Sequence, residues 1–386
     1  MKFVVLIYVL MVVYFLPEFG FGRVSTILVI PAGFFISTVL NKKNYKKVLN
    51  SKPLLVYITF VLFGLFSIIY SADISVALES ASKSLIILLF SISIFSLGSS
   101  SLRLYKILLI STSIIPFILF FNIIYDGSYI DFTIRDSESL DTNYYGYFSF
   151  VGISSLFILK SIKNNLATRI GIIFLIFISL FFGVVNASRA TFIITILISV
   201  LGYSFDIFNS GNSNIKTFFY LGIFSIVVFF VYDFFSNNLL DKLLFRRFEI
   251  LGTVESPREF HAREAIKIGM NNPIFGVGAG NYSIIPKRYE LGSFSHNTFT
   301  EVFANFGFIG LSLYSYLQYI IFNSLKKRIR NKHIFSSHFI IQLLVVFFVF
   351  QVYSLFYVVY LDTIFMFLFM IILSGLHFHK TDLNKS

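Results

Sequence analysis

The chain has 386 residues, 56% hydrophobic and 13% charged, with a net charge of +12. That charge content is about half of what a soluble surface carries, so a water-soluble globular protein is excluded. With no Cys, disulfides, thiolate nucleophiles and zinc–thiolate sites are excluded too, and with no Trp any interfacial aromatic belt falls to 52 Phe and 22 Tyr.

About twenty apolar residues cross a bilayer as a helix. Along the chain that window predicts spans at 3–19, 22–40, 53–71, 82–99, 105–124, 144–160, 170–187, 190–208, 217–235, 298–322, 337–357 and 360–378. The fold class expected is an all-α polytopic membrane protein of about 12 transmembrane helices, residues 1–386 forming one transmembrane domain. The N-terminal run has no small-residue cleavage site after it; Pro17 and Glu18 follow, and it reads as an uncleaved first span.

Orientation follows from the basic residues. With the N-terminus inside, the inner loops hold Lys42, Lys43, Lys46, Lys47 and Lys52, then Arg103 and Lys106, then Lys160, Lys163 and Arg169, then Lys216, and last Lys326 to Lys332. The outer loops, the longest aside, hold Arg23, Lys83, Arg135 and Arg189 with acids such as Asp73, Glu79, Asp136 and Glu138. Both termini are therefore expected in the cytoplasm. The charge is an orientation signal rather than a stripe on a soluble module, which argues against nucleic acid as a partner.

One outer loop is long, residues 236–297. Its first part, Leu239 to Phe248, is amphipathic and suits a helix lying in the interface. Ser256-Pro257-Arg258-Glu259 is a helix-start signal, and Asn271-Asn272-Pro273 is a stop, so a short helix is expected to about Met270. A glycine run, Gly276-x-Gly278-x-Gly280, precedes Asn281. It has neither nucleotide-binding spacing nor a preceding strand. Such glycines allow a tight turn or close approach of backbone to a ligand.

Three residues stand out near the outer interface. Arg189 sits in a hairpin of a few residues, against the orientation bias; snorkelling to headgroups is the plainer explanation. Arg263 lies mid-way along the loop helix and shares a face with Lys267, while Arg258 is on another face; a solvated helix face paired with Glu259 and Glu264 is the plainer explanation. His296, before Asn297, is poised to exchange protons near neutral pH, although a lone interfacial His is often structural. No paired carboxylates have convincing metal spacing, and Asp136-Ser137-Glu138 is a weak candidate; neither a metal nor a cofactor is expected.

Taken in order, Ala187-Ser188-Arg189-Ala190, then Arg263 through Asn281, then Ser295-His296-Asn297-Thr298-Phe299 with Gly307 and Gly310, the chain resembles the O-antigen ligase and polymerase family of bacterial envelopes. Asp141-Thr142-Asn143 is similar to an outer segment of that family. One departure is visible, since Glu264-Ala265-Ile266 follows the loop-helix arginine where family members often carry an aromatic. The resemblance implies a metal-independent, membrane-embedded glycosyltransferase of the GT-C type. Its donor would be an undecaprenyl-diphosphate-linked oligosaccharide, used on the outer face of the cytoplasmic membrane. Arg189 and Arg263 would take the diphosphate and His296 would work at the acceptor hydroxyl. Arg258, Lys267, Asn297, Gly278 and Gly280 would line the substrate site. A chain-length regulator is a conceivable partner. Polymerase is the favoured activity, with ligation of O-antigen to lipid A-core as the alternative. A polysaccharide flippase is the alternative from another class; it is disfavoured because no internal repeat is seen and the polar candidates gather at the outer interface.

Overall fold

In the computed structural model the described residues are 2–12, 29–40, 50–126, 144–185, 189–208, 257–284, 294–331, 336–379 and 382–383. The ninth expected span, the amphipathic segment 239–248, Asp136 with Glu138, and Asp141 to Asn143 lie outside them. Among the described residues the fold is all-helical with no strand. The helices are α1 (Lys2–Leu10), α2 (Ile30–Leu40), α3 (Lys52–Phe66), α4 (Ile74–Ser100), α5 (Leu102–Asp126), α6 (Tyr144–Ile162), α7 (Leu166–Val185) and α8 (Arg189–Phe208). They continue with α9 (Pro257–Asn271), α10 (Thr298–Arg330), α11 (Ser337–Ser354) and α12 (Thr363–Gly375).

Six helical segments are long and apolar enough to cross a membrane: Lys52–Tyr70, Ile74–Ser100, Leu102–Asn122, Tyr145–Ile162, Leu166–Gly183 and Ser337–Ser354. Ala190–Ser204 and Thr363–Gly375 are shorter apolar helices. On α7 the outward face carries exposed Leu166, Ile170, Ile173 and Phe177, while Ile172, Leu175, Ile178 and Phe182 are buried. A helix apolar on both faces needs protein on one side and lipid on the other. By contrast, α12 is buried all round from Ile364 to Gly375 and forms the bundle's centre, packed on α4, α5, α6 and α11.

Two helices depart from the expected spans for identifiable reasons. The fourth span begins eight residues earlier than its apolar run, because Asp73 caps α4 by accepting the N–H groups of Ser75 (2.8 Å) and Val76 (3.3 Å). The tenth is broken at Gly307, where φ is 60° and ψ is −159°. That break frees the carbonyls of Ala304 and Asn305 and the N–H groups of Phe308 and Ile309, which an unbroken helix would pair with one another.

All four are paired again, with the loop that follows α9. Val277 N–H donates to Ala304 O (3.0 Å) and Gly278 N–H to Asn305 O (2.9 Å). Phe308 N–H donates to Pro273 O (2.7 Å) and Ile309 N–H to Ile274 O (3.3 Å). Residues 273–278 are thus spliced into the helix break, satisfying the buried backbone as a low-dielectric interior requires. Residues 275–281 are also tied to the segment joining α3 and α4: Ala279 N–H donates to Ser67 Oγ (2.9 Å), Asp73 N–H to Asn281 Oδ1 (2.6 Å), and Tyr70 Oη to Phe275 O (2.9 Å).

Candidate functional site

The splice explains the glycine run. Gly276, Gly278 and Gly280 all have left-handed φ (71°, 95° and 70°), which only glycine adopts without strain. A Cβ on Gly278 would lie 2.5 Å from Ser71 Cβ, one on Gly280 2.8 Å from Ser80 Cβ, and one on Gly276 would fall on the backbone of Asn305. The close approach these glycines allow is to the protein's own helices.

The splice in turn seats α9 on the first half of α10. Helix α9 spans Pro257–Asn271, matching the start and stop signals in the sequence. Its buried face carries His261, Ala265 and Ile268, and its exposed face carries Arg263 and Lys267. Lys267 Nζ lies 3.7 Å from Glu264 Oε1, a solvated pair worth little stability. Arg263 is exposed beside that pair.

Below α9 lies a connected polar layer. Tyr282, fully buried, donates its hydroxyl to the backbone carbonyl of His261 (2.7 Å) and meets His261 Nδ1 at 3.2 Å. Its N–H donates to Asn305 Oδ1 (2.9 Å), and Asn305 Nδ2 donates to Tyr360 Oη (3.3 Å). Burial, reinforced by the nearby carboxylates of Glu301 and Glu264, holds the Tyr282 phenol well above its ordinary range. Burial also lowers the His261 pKa from its usual 6.5, because a charged imidazole loses its hydration there.

His296 enters this layer from the other side. Its ring centroid is 6.4 Å from that of His261. Its φ of 55° makes it the non-glycine residue with left-handed backbone among the described residues, a conformation costing on the order of 1–3 kcal/mol. Neighbours on both sides hold it there. Before it, Ser295 N–H donates to Glu301 Oε2 (2.6 Å) and Ser295 Oγ to Asn297 O (2.8 Å). After it, Asn297 Oδ1 caps α10 by accepting from Phe299 and Thr300, and Thr298 Oγ1 donates to Tyr357 O (2.6 Å) and accepts from Val359 N–H (3.0 Å). Glu301, Ser295 and Thr298 are all buried.

The structure therefore brings His296, Asn297, Arg263, Lys267, Gly278 and Gly280 onto adjoining elements, with Gly278 buried and Gly280 half-buried against the start of α4 and the turn before it. Arg189 is the first residue of α8, which packs on α6, α7 and α11; Arg258 is the second residue of α9. Sequence reasoning gave no role to His261, Tyr282 or Glu301. Among the described residues, no three or more His, Asp or Glu gather as a metal site.

A bundle of apolar helices with α9 docked on α10 beside a histidine at a helix start defines the class: a multi-pass membrane protein with a polar layer beneath that docked helix. Residues 166–315 match a family model described as O-antigen ligase. The match runs from α7 through the break in α10 and so includes Arg189, Arg263 and His296, in agreement with the O-antigen ligase and polymerase family read from the motifs. No curated protein matches the chain.

Proposed function

We propose that this protein is a surface-polysaccharide polymerase. It transfers an undecaprenyl-diphosphate-linked glycan onto the sugar hydroxyl of a lipid-linked repeat unit at the outer face of the cytoplasmic membrane. The observation that carries the reading is His296: it lies within the matched segment, in a strained backbone that the surrounding hydrogen bonds of Ser295, Asn297 and Thr298 over-determine, beside a helix bearing Arg263. Strain retained at such a point is a mark of a functional position.

In this reading Arg189 and Arg263 bind the diphosphate. As the glycosidic bond breaks, the electron pair leaves on the diphosphate, and guanidinium forks bind phosphate bidentately. Donors aimed at developing charge stabilise the transition state by about 3 kcal/mol each. Diphosphate leaves without a general acid. The acceptor hydroxyl gains from a base, and His296 supplies it, worth roughly a hundred-fold or more in rate. Asn297 fixes the start of α10 under His296. Arg258 and Lys267 contribute positive charge along α9. The loop covers the reacting end and excludes water, which would otherwise hydrolyse the donor.

A ligase uses the same donor chemistry, and glycan transfer to lipid A-core is the second reading. Deleting the gene and comparing the surface polysaccharide on a gel separates them. Collapse of the ladder to a single repeat unit supports the polymerase. Accumulation of full-length glycan on undecaprenyl diphosphate supports the ligase. An unchanged ladder contradicts both and returns transport to the front.

A further inference from the structure

Tyr282 has one hydroxyl proton, and the short 2.7 Å contact assigns it to the carbonyl of His261. The phenol oxygen then has only lone pairs to offer the His261 ring at 3.2 Å, so Nδ1 must carry the proton of the neutral imidazole. Nε2 is thereby fixed as the basic nitrogen. His261 is only 3% exposed, and the ring of His296 lies 6.4 Å from its own, centroid to centroid, inclined at 61°. Rings at that centroid separation are within reach of one bridging water.

Two histidines on different elements, one of them tautomer-locked by a buried tyrosine, are not needed to hold α9 in place. The splice at Gly307 and the apolar contacts of Ala265 and Ile268 do that. We propose that His261 is the proton-sharing partner of His296: it is a positioning residue that keeps His296 basic by accepting, on Nε2, part of the proton taken from the acceptor hydroxyl. The proposal rests on the glycosyl-transfer reading above. In the step, the acceptor oxygen bonds to the anomeric carbon, the bond from that carbon to the diphosphate oxygen breaks with its electron pair, and the hydroxyl proton goes to His296. It is then shared with His261 and released to water. Among the described residues, Tyr282 touches His261 and keeps its phenol proton, and the carboxylates of Glu301 and Glu264 act on Tyr282.

The test uses the full chain in lipid nanodiscs, with 15N-labelled histidine and undecaprenyl-diphosphate-linked oligosaccharide as substrate. Neutral His261 is expected as the Nδ1–H tautomer, and Tyr282→Phe is expected to populate the other. His261→Phe keeps a ring in the site but no nitrogen. It is expected to lower the titration midpoint of His296, to move the acid limb of kcat by the same interval, and to cut kcat by about tenfold with the donor KM within about twofold. An Nε2–H tautomer in the wild type, or a His296 midpoint unmoved by His261→Phe, overturns the pairing. If Tyr282→Phe gives the same shift in profile, misfolding of the His261 variant is not the cause. Transfer with uncoupled titrations overturns the pair alone; coupled titrations without any transfer overturn the glycan reading and the catalytic use of the pair together.

Discussion

The carboxylate of Glu301 accepts the backbone N–H of Ser295 at 2.6 Å, and so a buried side chain one turn into α10 sets the backbone immediately before His296. With Asn297 capping the same helix from the other side, His296 is held at a φ of 55° between two fixed points. The strain is local, and the groups that maintain it are individually replaceable.

Glu301→Gln keeps an oxygen able to accept from Ser295, whereas Glu301→Ala leaves that N–H buried and unpaired. The alanine variant is expected to lose about 1–3 kcal/mol of stability, and more than tenfold in turnover because His296 is released. The glutamine variant should retain most of both. Thermal melting in detergent and a glycan-transfer assay check this; equal damage in the two variants would show that the charge, not the acceptor, matters.

Gly307 is where the splice stands or falls. Alanine there must adopt a left-handed φ, and its Cβ would fall on the Ile274 carbonyl and lie 2.7 Å from Phe275 N. Gly307→Ala is expected to cost at least 2 kcal/mol, from backbone strain and lost hydrogen bonds together. Because α9 is seated through these bonds, limited proteolysis should cut the loop faster in the variant than in the wild type. Gly64→Ala provides the comparison, because a Cβ there meets Phe306 only at an ordinary 3.7 Å: protection of the loop in it should stay closer to wild type.

Arg263 is exposed on α9, so its removal should leave the fold intact. Arg263→Ala is expected to abolish transfer while the melting temperature stays within a few degrees. Arg263→Lys should also be poor, because a point charge does not replace a planar fork on a diphosphate. Full activity in the alanine variant would remove Arg263 from the mechanism.

Burial of His261 makes the stability of the fold pH-dependent. Its folded pKa lies below the ordinary 6.5, so the unfolded chain binds more protons as pH falls through that value. Stability is therefore expected to be level above about pH 7.5 and to decline below about 6.5. Melting temperature measured from pH 8 to 5.5 should fall less steeply in His261→Phe than in the wild type.

Much of this was legible in the sequence because it is local. Apolar runs located most of the helices, and Ser256-Pro257 with Asn272-Pro273 bracketed α9 to within a residue. Residues 74–81 were missed as helix because Glu79 and Lys83 break the apolar run, although the Asp73 cap was there to be read. The repair at Gly307 left no local signal, since its partners lie some thirty residues earlier. For the same reason the glycine run could be read as a tight turn or an approach to a ligand, but not as packing on the backbone of α10, on the turn between α3 and α4 and on Ser80. His261, Tyr282 and Glu301 were overlooked because each looks ordinary alone; what makes them a site is the docking of α9 on α10.

The most direct measurement is glycan transfer by the purified full chain in nanodiscs, with an undecaprenyl-diphosphate-linked repeat unit as sole glycan and a chelator present. The wild type should build a ladder, and His296→Ala and Arg263→Ala, folded to the same melting temperature, should not. Transfer undiminished in both variants would contradict the assignment of the site, and a requirement for added Mg²⁺ or Mn²⁺ would contradict its chemistry.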